Sequence, residues 1–331
     1  MRSQPPNSPI RIGLLGASRI ARGAIIEPAQ YIDGVEVTRI AASSAEKARR
    51  YASEHGIPVV EADYDALVSS DAVDLVYNAL PPSGHCHWSQ QALANGKHVL
   101  CEKPFAMNAV EARAMLAAAE TSAGELIEAF HYRYHPLFEH VLATVASGRI
   151  GEIRSLKARF DVAIPYVEGE LRHTLSVGGG ALMDLGCYPV HWVRTIMGGE
   201  PTVVTANAVQ ERPGIDLEMR AALDFAGVTA EIACSMAIDK AFAAELRIVA
   251  DRGSIVVTNP LAPHDGHSLV ITVDGEMTST SVDGQSTYWH QLTHVLDVIA
   301  GRATPVTGGA DAVANMVAID AIYRAAGMSP R

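Results

Sequence analysis

Glu102-Lys103-Pro104 closes the apolar run His98–Cys101, which itself follows a helical stretch and Gly96. A short apolar run in that setting reads as a buried parallel strand. Polar residues at the carboxyl end of such a strand stand where open α/β sheets bind their ligands. A lysine fixed there, followed by a proline that restricts its backbone, suits work on a substrate or cofactor. A second group lies in Gly178-Gly-Gly-Ala-Leu-Met-Asp184-Leu-Gly-Cys-Tyr188-Pro-Val-His191. If a helix begins near Gly180, Asp184 and Tyr188 are one turn apart and share a face. Pro189 would kink that helix and free the carbonyl of Leu185. The three glycines let the backbone approach a flat ligand or an opposing loop. Lysine, carboxylate and phenol can all hold or move a proton.

A third motif points to phosphate. Ile12-Gly-Leu-Leu-Gly-Ala-Ser-Arg-Ile-Ala21 follows the first apolar run and opens a helix. Aligned on Gly-x-Gly-x-x-Gly, Gly16 takes the tight turn, Ser18 the second position and Ala21 the third, with Ala17, Arg19 and Ile20 between them. Ser18 stands where a glycine normally lets the backbone approach a pyrophosphate, but the strand before and helix after restore the match. The helix start then offers N–H groups and its dipole to a diphosphate. In NAD enzymes a carboxylate at the end of the second strand binds the ribose. Here that strand ends Ala41-Ala42-Ser43-Ser44. No acid stands there to repel a 2′-phosphate, Ser43 and Ser44 can donate hydrogen bonds, and Lys47 or Arg19 supplies positive charge. NADP is therefore expected over NAD.

The elements that position these groups alternate. Strands are expected at Ile10–Leu15, Val35–Ala42, Val73–Ala79, His98–Cys101 and Glu125–Ala129, separated by helices at Ile20–Tyr31, Ala45–His55, Tyr64–Ser69, Gly84–Asn95 and Ala109–Ser122. Such alternation implies an α/β, Rossmann-type domain whose parallel sheet is covered on both faces. Beyond Phe130 a helix near Leu137–Ser147 and a strand near Glu152–Val162 lead into runs typical of antiparallel strands from Thr202 to Val273, with turn signals at Asp251-Arg252-Gly253 and Asp283-Gly284. Two helices follow. The boundary is placed at 130: residues 9–130 bind the dinucleotide, and 131–331 form an α+β domain with an open, mainly antiparallel sheet.

Composition narrows the function classes. The 331 residues, 48% hydrophobic and 19% charged, describe a globular protein. A net charge of −11 with no basic patch argues against nucleic acid. The polar, proline-containing segment from Met1 to Pro9 has no apolar signal region, and no stretch reaches the ~18 residues of a membrane span. Four cysteines without a Cys-x-x-Cys pair read as reduced thiols in a cytoplasm. His85-Cys86-His87 does not converge on a metal, because alternate helical residues point apart; no metal is expected.

With these residues in view the chain resembles the glucose–fructose oxidoreductase/inositol dehydrogenase (Gfo/Idh/MocA) family. The matching segments are Gly13–Ala21, Asn78-Ala-Leu-Pro-Pro-Ser-Gly-His85, Gly96–Pro104, Glu128–Pro136 and Gly178–Tyr188. Many members carry a catalytic histidine four residues after the aspartate; Tyr188 here looks like the branch with NADP-xylose and dihydrodiol dehydrogenases. The resemblance implies hydride transfer between nicotinamide and a carbinol or carbonyl carbon of a sugar or cyclic polyol. Tyr188 would then exchange the proton at the substrate oxygen. A phenol with a pKa of about 10 needs a nearby cation for this. Lys103 would supply it, and Asp184 would bind substrate hydroxyls or orient Lys103. Asn78, Pro81, His85 and Glu102 are cofactor-side candidates. Tyr132, Arg133 and His191 are substrate candidates, with Arg172 and His173 behind them. The family also implies a homodimer or higher homo-oligomer. Competing readings are a trans-dihydrodiol dehydrogenase, a dicarbonyl reductase, or a nucleotide-sensing regulator without chemistry.

Overall fold

The computed structural model describes residues 8–331. The first seven residues, within the polar segment read above, lie outside the described part. Two compact units form. The first comprises the chain through Ala106, Val110–Phe130 and Tyr288–Ala312; the second comprises Met107–Ala109, His131–Thr287 and Val313–Arg331.

In the first unit β1 (Ile10–Leu15), β2 (Val35–Ala41), β3 (Val59–Val60), β4 (Leu75–Asn78), β5 (His98–Cys101) and β6 (Leu126–Glu128) form one parallel sheet in the order β3-β2-β1-β4-β5-β6. This is the doubly wound order, in which the topology reverses between β1 and β4 and opens a crevice at their carboxyl ends. Helices Ala45–His55 and Tyr64–Ser69 span the residues that the sequence predicts. Ser44 and Asp63 cap them, and Gly56 ends the first in the left-handed conformation. The two-residue β3 was not expected; it is too short to show a period.

The segment Tyr288–Ala312, assigned from sequence to the second domain, belongs with this unit. Leu292, Val295 and Val298 of helix Thr287–Ile299 are buried in one cluster with Ile12, Leu14, Leu75 and Tyr77. Thr307 Oγ1 donates to Glu128 O at 2.6 Å, and Gly308 bridges to Ile127, so the same segment covers the edge strand β6.

The second unit is built on β7 (Ile153–Asp161), β8 (Thr202–Arg212), β9 (Ile215–Phe225), β10 (Val228–Ser235), β11 (Ala243–Ala250), β12 (Gly253–Thr258), β13 (Ser268–Val273) and β14 (Glu276–Thr280). Their order is β14-β13-β12-β11-β7-β10-β9-β8, antiparallel except where β10 runs parallel to β7. Leu156, Ala158 and Phe160 alternate with Lys157 and Arg159 along β7, so one face is apolar and carries helix Cys187–Met197. The other face is charged. Strand β14 escaped the sequence reading because it is exposed almost throughout and lacks apolar alternation; Asp274-Gly275, both at positive φ, make its hairpin turn.

Candidate active site

In the first unit the glycine loop is shaped by what it passes. Gly16 has φ of 95°, and a Cβ there would meet Ala79 O and Leu80 Cδ2, both at 3.3 Å. Ser18 has extended backbone, and its Oγ accepts the Ala21 N–H at 3.3 Å. The residue that departs from the glycine pattern is therefore the cap of the helix that follows. That helix runs from Arg19 to Ala29 through a π-turn at Arg22–Ile26.

At the end of β2 a cavity of about 510 Å³ is lined by Arg19, Arg22, Lys47 and Arg50, with Tyr51 and Glu54. Four cations line it beside Glu54, with Arg22 also paired to Glu27 at 2.8 Å, and this donor set fits a phosphate group. Lys47 Nζ donates to Ser43 Oγ at 3.3 Å, whereas Ser44 Oγ accepts the Lys47 N–H and caps its helix. Tyr51 Oη donates to Ser18 O at 2.9 Å and ties this helix to the glycine loop. Burial, with the Glu54 charge, pushes the Tyr51 phenol up to about 12, so it remains a neutral donor. Arg22, Arg50 and Tyr51 were not picked out from sequence. The helical spacing of Lys47, Arg50 and Tyr51 was the available signal.

Three cofactor-side candidates face inward. Asn78 is fully buried; its Nδ2 donates to His85 O at 3.2 Å and Ser89 Oγ at 3.1 Å. His85 is equally buried, with Nδ1 2.9 Å from Pro104 O and Nε2 2.7 Å from Leu80 O. Burial pushes its pKa down to about 4, against the raising effect of those carbonyls. Glu102 accepts from Tyr77 Oη at 2.5 Å and from the Lys103 N–H at 3.2 Å. These residues brace the ends of β4 and β5. Pro81 precedes helix Pro82–Ala94, and Lys103 is half-buried, joined to Pro104 by a cis peptide bond.

In the second unit a π-turn, Leu182–Gly186, runs straight into helix Cys187–Met197. Pro189 falls in the first turn of that helix, where its missing N–H is tolerated beside the wider turn. Asp184 accepts from Arg172 Nε at 2.6 Å, and Arg172 Nη1 reaches Glu170 at 3.1 Å. The Asp184 charge is the main cause raising the Arg172 pKa. Tyr188 is 5% exposed, among the rings of Phe160, Tyr132 and Trp192. Its Oη lies 3.1 Å from His131 Nε2. Of the substrate candidates, Tyr132 Oη and His191 Nδ1 meet at 2.5 Å, both buried. Arg133 lies over the Phe138 ring, and buried His173 faces Ile164 O at 2.9 Å.

The glycine triplet serves packing inside the unit. Gly180, at φ of 133°, faces Asp216, Arg331 and Tyr323, whose polar atoms would collide with any Cβ. Asp216 accepts from Leu182 N–H at 2.7 Å, Tyr323 Oη at 2.9 Å and Arg331 Nη2 at 2.5 Å. This knot anchors the turn that carries Asp184.

Comparison with known proteins agrees with this architecture. Residues 10–130 match a family described as "Oxidoreductase family, NAD-binding Rossmann fold", and 138–256 match the "GFO/IDH/MocA C-terminal domain". The chain is 31% identical to D-xylose 1-dehydrogenase (NADP(+)) 2 of Haloferax volcanii, over 95% of this chain and 96% of that one. It is 36% identical to the trans-1,2-dihydrobenzene-1,2-diol dehydrogenase of Xenopus tropicalis, over 58% of each. Among solved structures it is similar to KijD10, a 3-ketoreductase from Actinomadura kijaniata in complex with NADP and TDP-benzene. That likeness has a TM-score of 0.87 and 28% identity, covering 95% of this chain and 97% of the other.

Proposed function

Starting from the chain's membership of the Gfo/Idh/MocA oxidoreductase family, we propose that it is an NADP-dependent dehydrogenase or reductase of a sugar or related cyclic polyol. The observation that carries this reading is the nearly full-length match to a D-xylose dehydrogenase, with Lys103, Asp184 and Tyr188 all present. A regulator that only sensed nucleotide would have no use for all three. The dinucleotide would lie on residues 9–130, with its diphosphate at Gly16–Ile20 and its 2′-phosphate in the cavity of Arg19, Lys47 and Arg50. When bound, the nicotinamide gives or takes the hydride.

The remaining steps belong to side chains of this protein. Tyr188 exchanges the proton of the reacting oxygen. Lys103 hydrogen-bonds that oxygen, and a cation beside the reacting atoms eases loss of the phenolic proton of Tyr188. Asp184, paired with Arg172 at 2.6 Å, accepts hydrogen bonds from neighbouring substrate hydroxyls. Proton transfer of this kind contributes roughly 10²–10⁴-fold.

The test is a panel of aldoses, ketoses, polyols, dicarbonyls and a trans-dihydrodiol, followed by NADPH absorbance. Turnover of a sugar or polyol is expected, with Tyr188→Phe lowering kcat at least ~10²-fold. No turnover with any of them, or unchanged turnover by the variant, defeats the reading. A second reading, oxidation of an aromatic dihydrodiol, is favoured by the rings of Phe160, Tyr132 and Trp192 around Tyr188. The same panel separates the two.

The family also points to a homo-oligomer formed by residues 131–331. The charged face of the eight-stranded sheet, with Lys157, Arg159, Glu231, Glu245 and Arg247, is the surface to which we assign it; light scattering decides. Cys86, Cys101, Cys187 and Cys234 form no disulfide, and a cytoplasmic location is our reading of that cysteine usage.

A further inference from the structure

His131 occupies no place in the chemistry described so far. It opens the short 3₁₀ turn His131–Tyr134 and is 6% exposed. One side of its ring meets Tyr188 Oη at 3.1 Å through Nε2. The other side meets Oγ1 of fully buried Thr287 at 2.7 Å through Nδ1. The phenol and imidazole rings are set edge to face, at 73°. Three residues far apart in the chain thus form one buried line of hydrogen bonds ending on the phenol. Tyr132, whose ring lies edge-on to Tyr188, and His191 are bonded to each other.

We propose that His131 is the positioning residue of Tyr188: Thr287 fixes its tautomer, and Nε2 aims and shares the phenolic proton. The proposal rests on Tyr188 being the proton-transfer group. Thr287 Oγ1 accepts from Nδ1–H, which leaves the Nε2 lone pair facing Tyr188 Oη–H. During oxidation of an alcohol, the substrate O–H bond breaks and its proton forms a new bond to Tyr188 Oη. The original Oη–H bond breaks at the same time, and that proton binds Nε2. A bound oxidised nicotinamide would take the carbinol hydride and become neutral, which balances the proton gained by the His131 imidazole. Reduction runs the same bonds in reverse. The relay leaves Tyr188 a neutral phenol before and after the step, and the proton rests on the imidazole.

The test joins a spectroscopic reading to kinetics. Nitrogen-15 spectra of the cofactor-free protein are expected to show His131 protonated at Nδ1, and Thr287→Val to abolish that single tautomer. Thr287→Ser is expected to preserve it. His131→Phe, which keeps an aromatic ring in place, should lower kcat at least ~10-fold with KM and NADPH affinity within about 3-fold. Thr287→Val should lower kcat several-fold and Thr287→Ser restore it. Wild-type kcat in folded His131→Phe, or Nε2 protonation in the wild-type protein, overturns the proposal. If Tyr188→Phe is crippled while His131→Phe is normal, the positioning role alone falls. If Tyr188→Phe turns over normally, the parent reading falls with it.

Discussion

His85 shows how one side chain can be legible in type while packing sets what its ring meets. A histidine beside a diproline at a strand end invites a ligand contact, yet both of its nitrogens face main-chain carbonyls inside the first unit. Its folded pKa, about 4, lies below the unfolded value of about 6.5. Between those values the unfolded chain binds a proton that the folded chain does not. Stability is therefore full above pH ~6.5 and declines as pH falls toward 4, by up to ~3 kcal/mol. Urea midpoints at pH 7 and 4.5 check this: His85→Gln is expected to flatten the difference. The cations at the end of β2 carry a second residue-scale expectation. Lys47→Glu with Arg50→Glu should weaken NADPH binding at least ~10-fold while changing NADH binding little. Titration of tryptophan fluorescence measures both, and equal losses would remove the 2′-phosphate from this cavity.

Elements carry constraints that no single residue shows. The π-turn Leu182–Gly186 and the helix after it are held by Asp216, which receives Leu182 N–H, Tyr323 and Arg331 in a buried site. Burial lifts the Asp216 carboxyl to about 6, opposed by the Arg331 charge. Removing one member of such a pair leaves an uncompensated buried charge, so Asp216→Asn should destabilise the protein by about 3–5 kcal/mol. Gly180→Ala should be similarly harmful, because its positive φ and the crowding of Asp216, Arg331 and Tyr323 both exclude a Cβ. Thermal unfolding measures each variant. A Gly180→Ala protein as stable as wild type would mean that the turn can move away from the knot.

For the whole molecule, the chain path matters more than any boundary in sequence. Helix Thr287–Ile299 returns to complete the core of the first unit after the entire second sheet has been made. Leu292 is fully buried there, and Leu292→Ala is expected to cost about 2–5 kcal/mol. The loss should appear as weaker NADPH binding as well as a lower Tm, since the same core supports β1 and β4. A chain ending before residue 287 is expected to lack a stable dinucleotide unit, which limited proteolysis with and without NADPH can test. Charge is also distributed unevenly at this scale: a net −11 coexists with a cavity lined by four cations, so the global charge does not preclude a local phosphate ligand.

Local periodicity determined the alternating elements, because helix and strand formation depends on residues within a few positions of each other. It also placed Lys103 at a strand end and Gly16 at a tight turn, where backbone geometry restricts the residue type. The direction of each polar side chain was decided by packing. Asn78, His85 and Glu102 turned inward because the ends of buried strands leave polar groups that need partners inside. His131 met Tyr188 across 57 positions, and Asp216 met Arg331 across 115. Hydrogen bonds over such separations follow from which surfaces the collapsed chain brings together, and no local pattern encodes that.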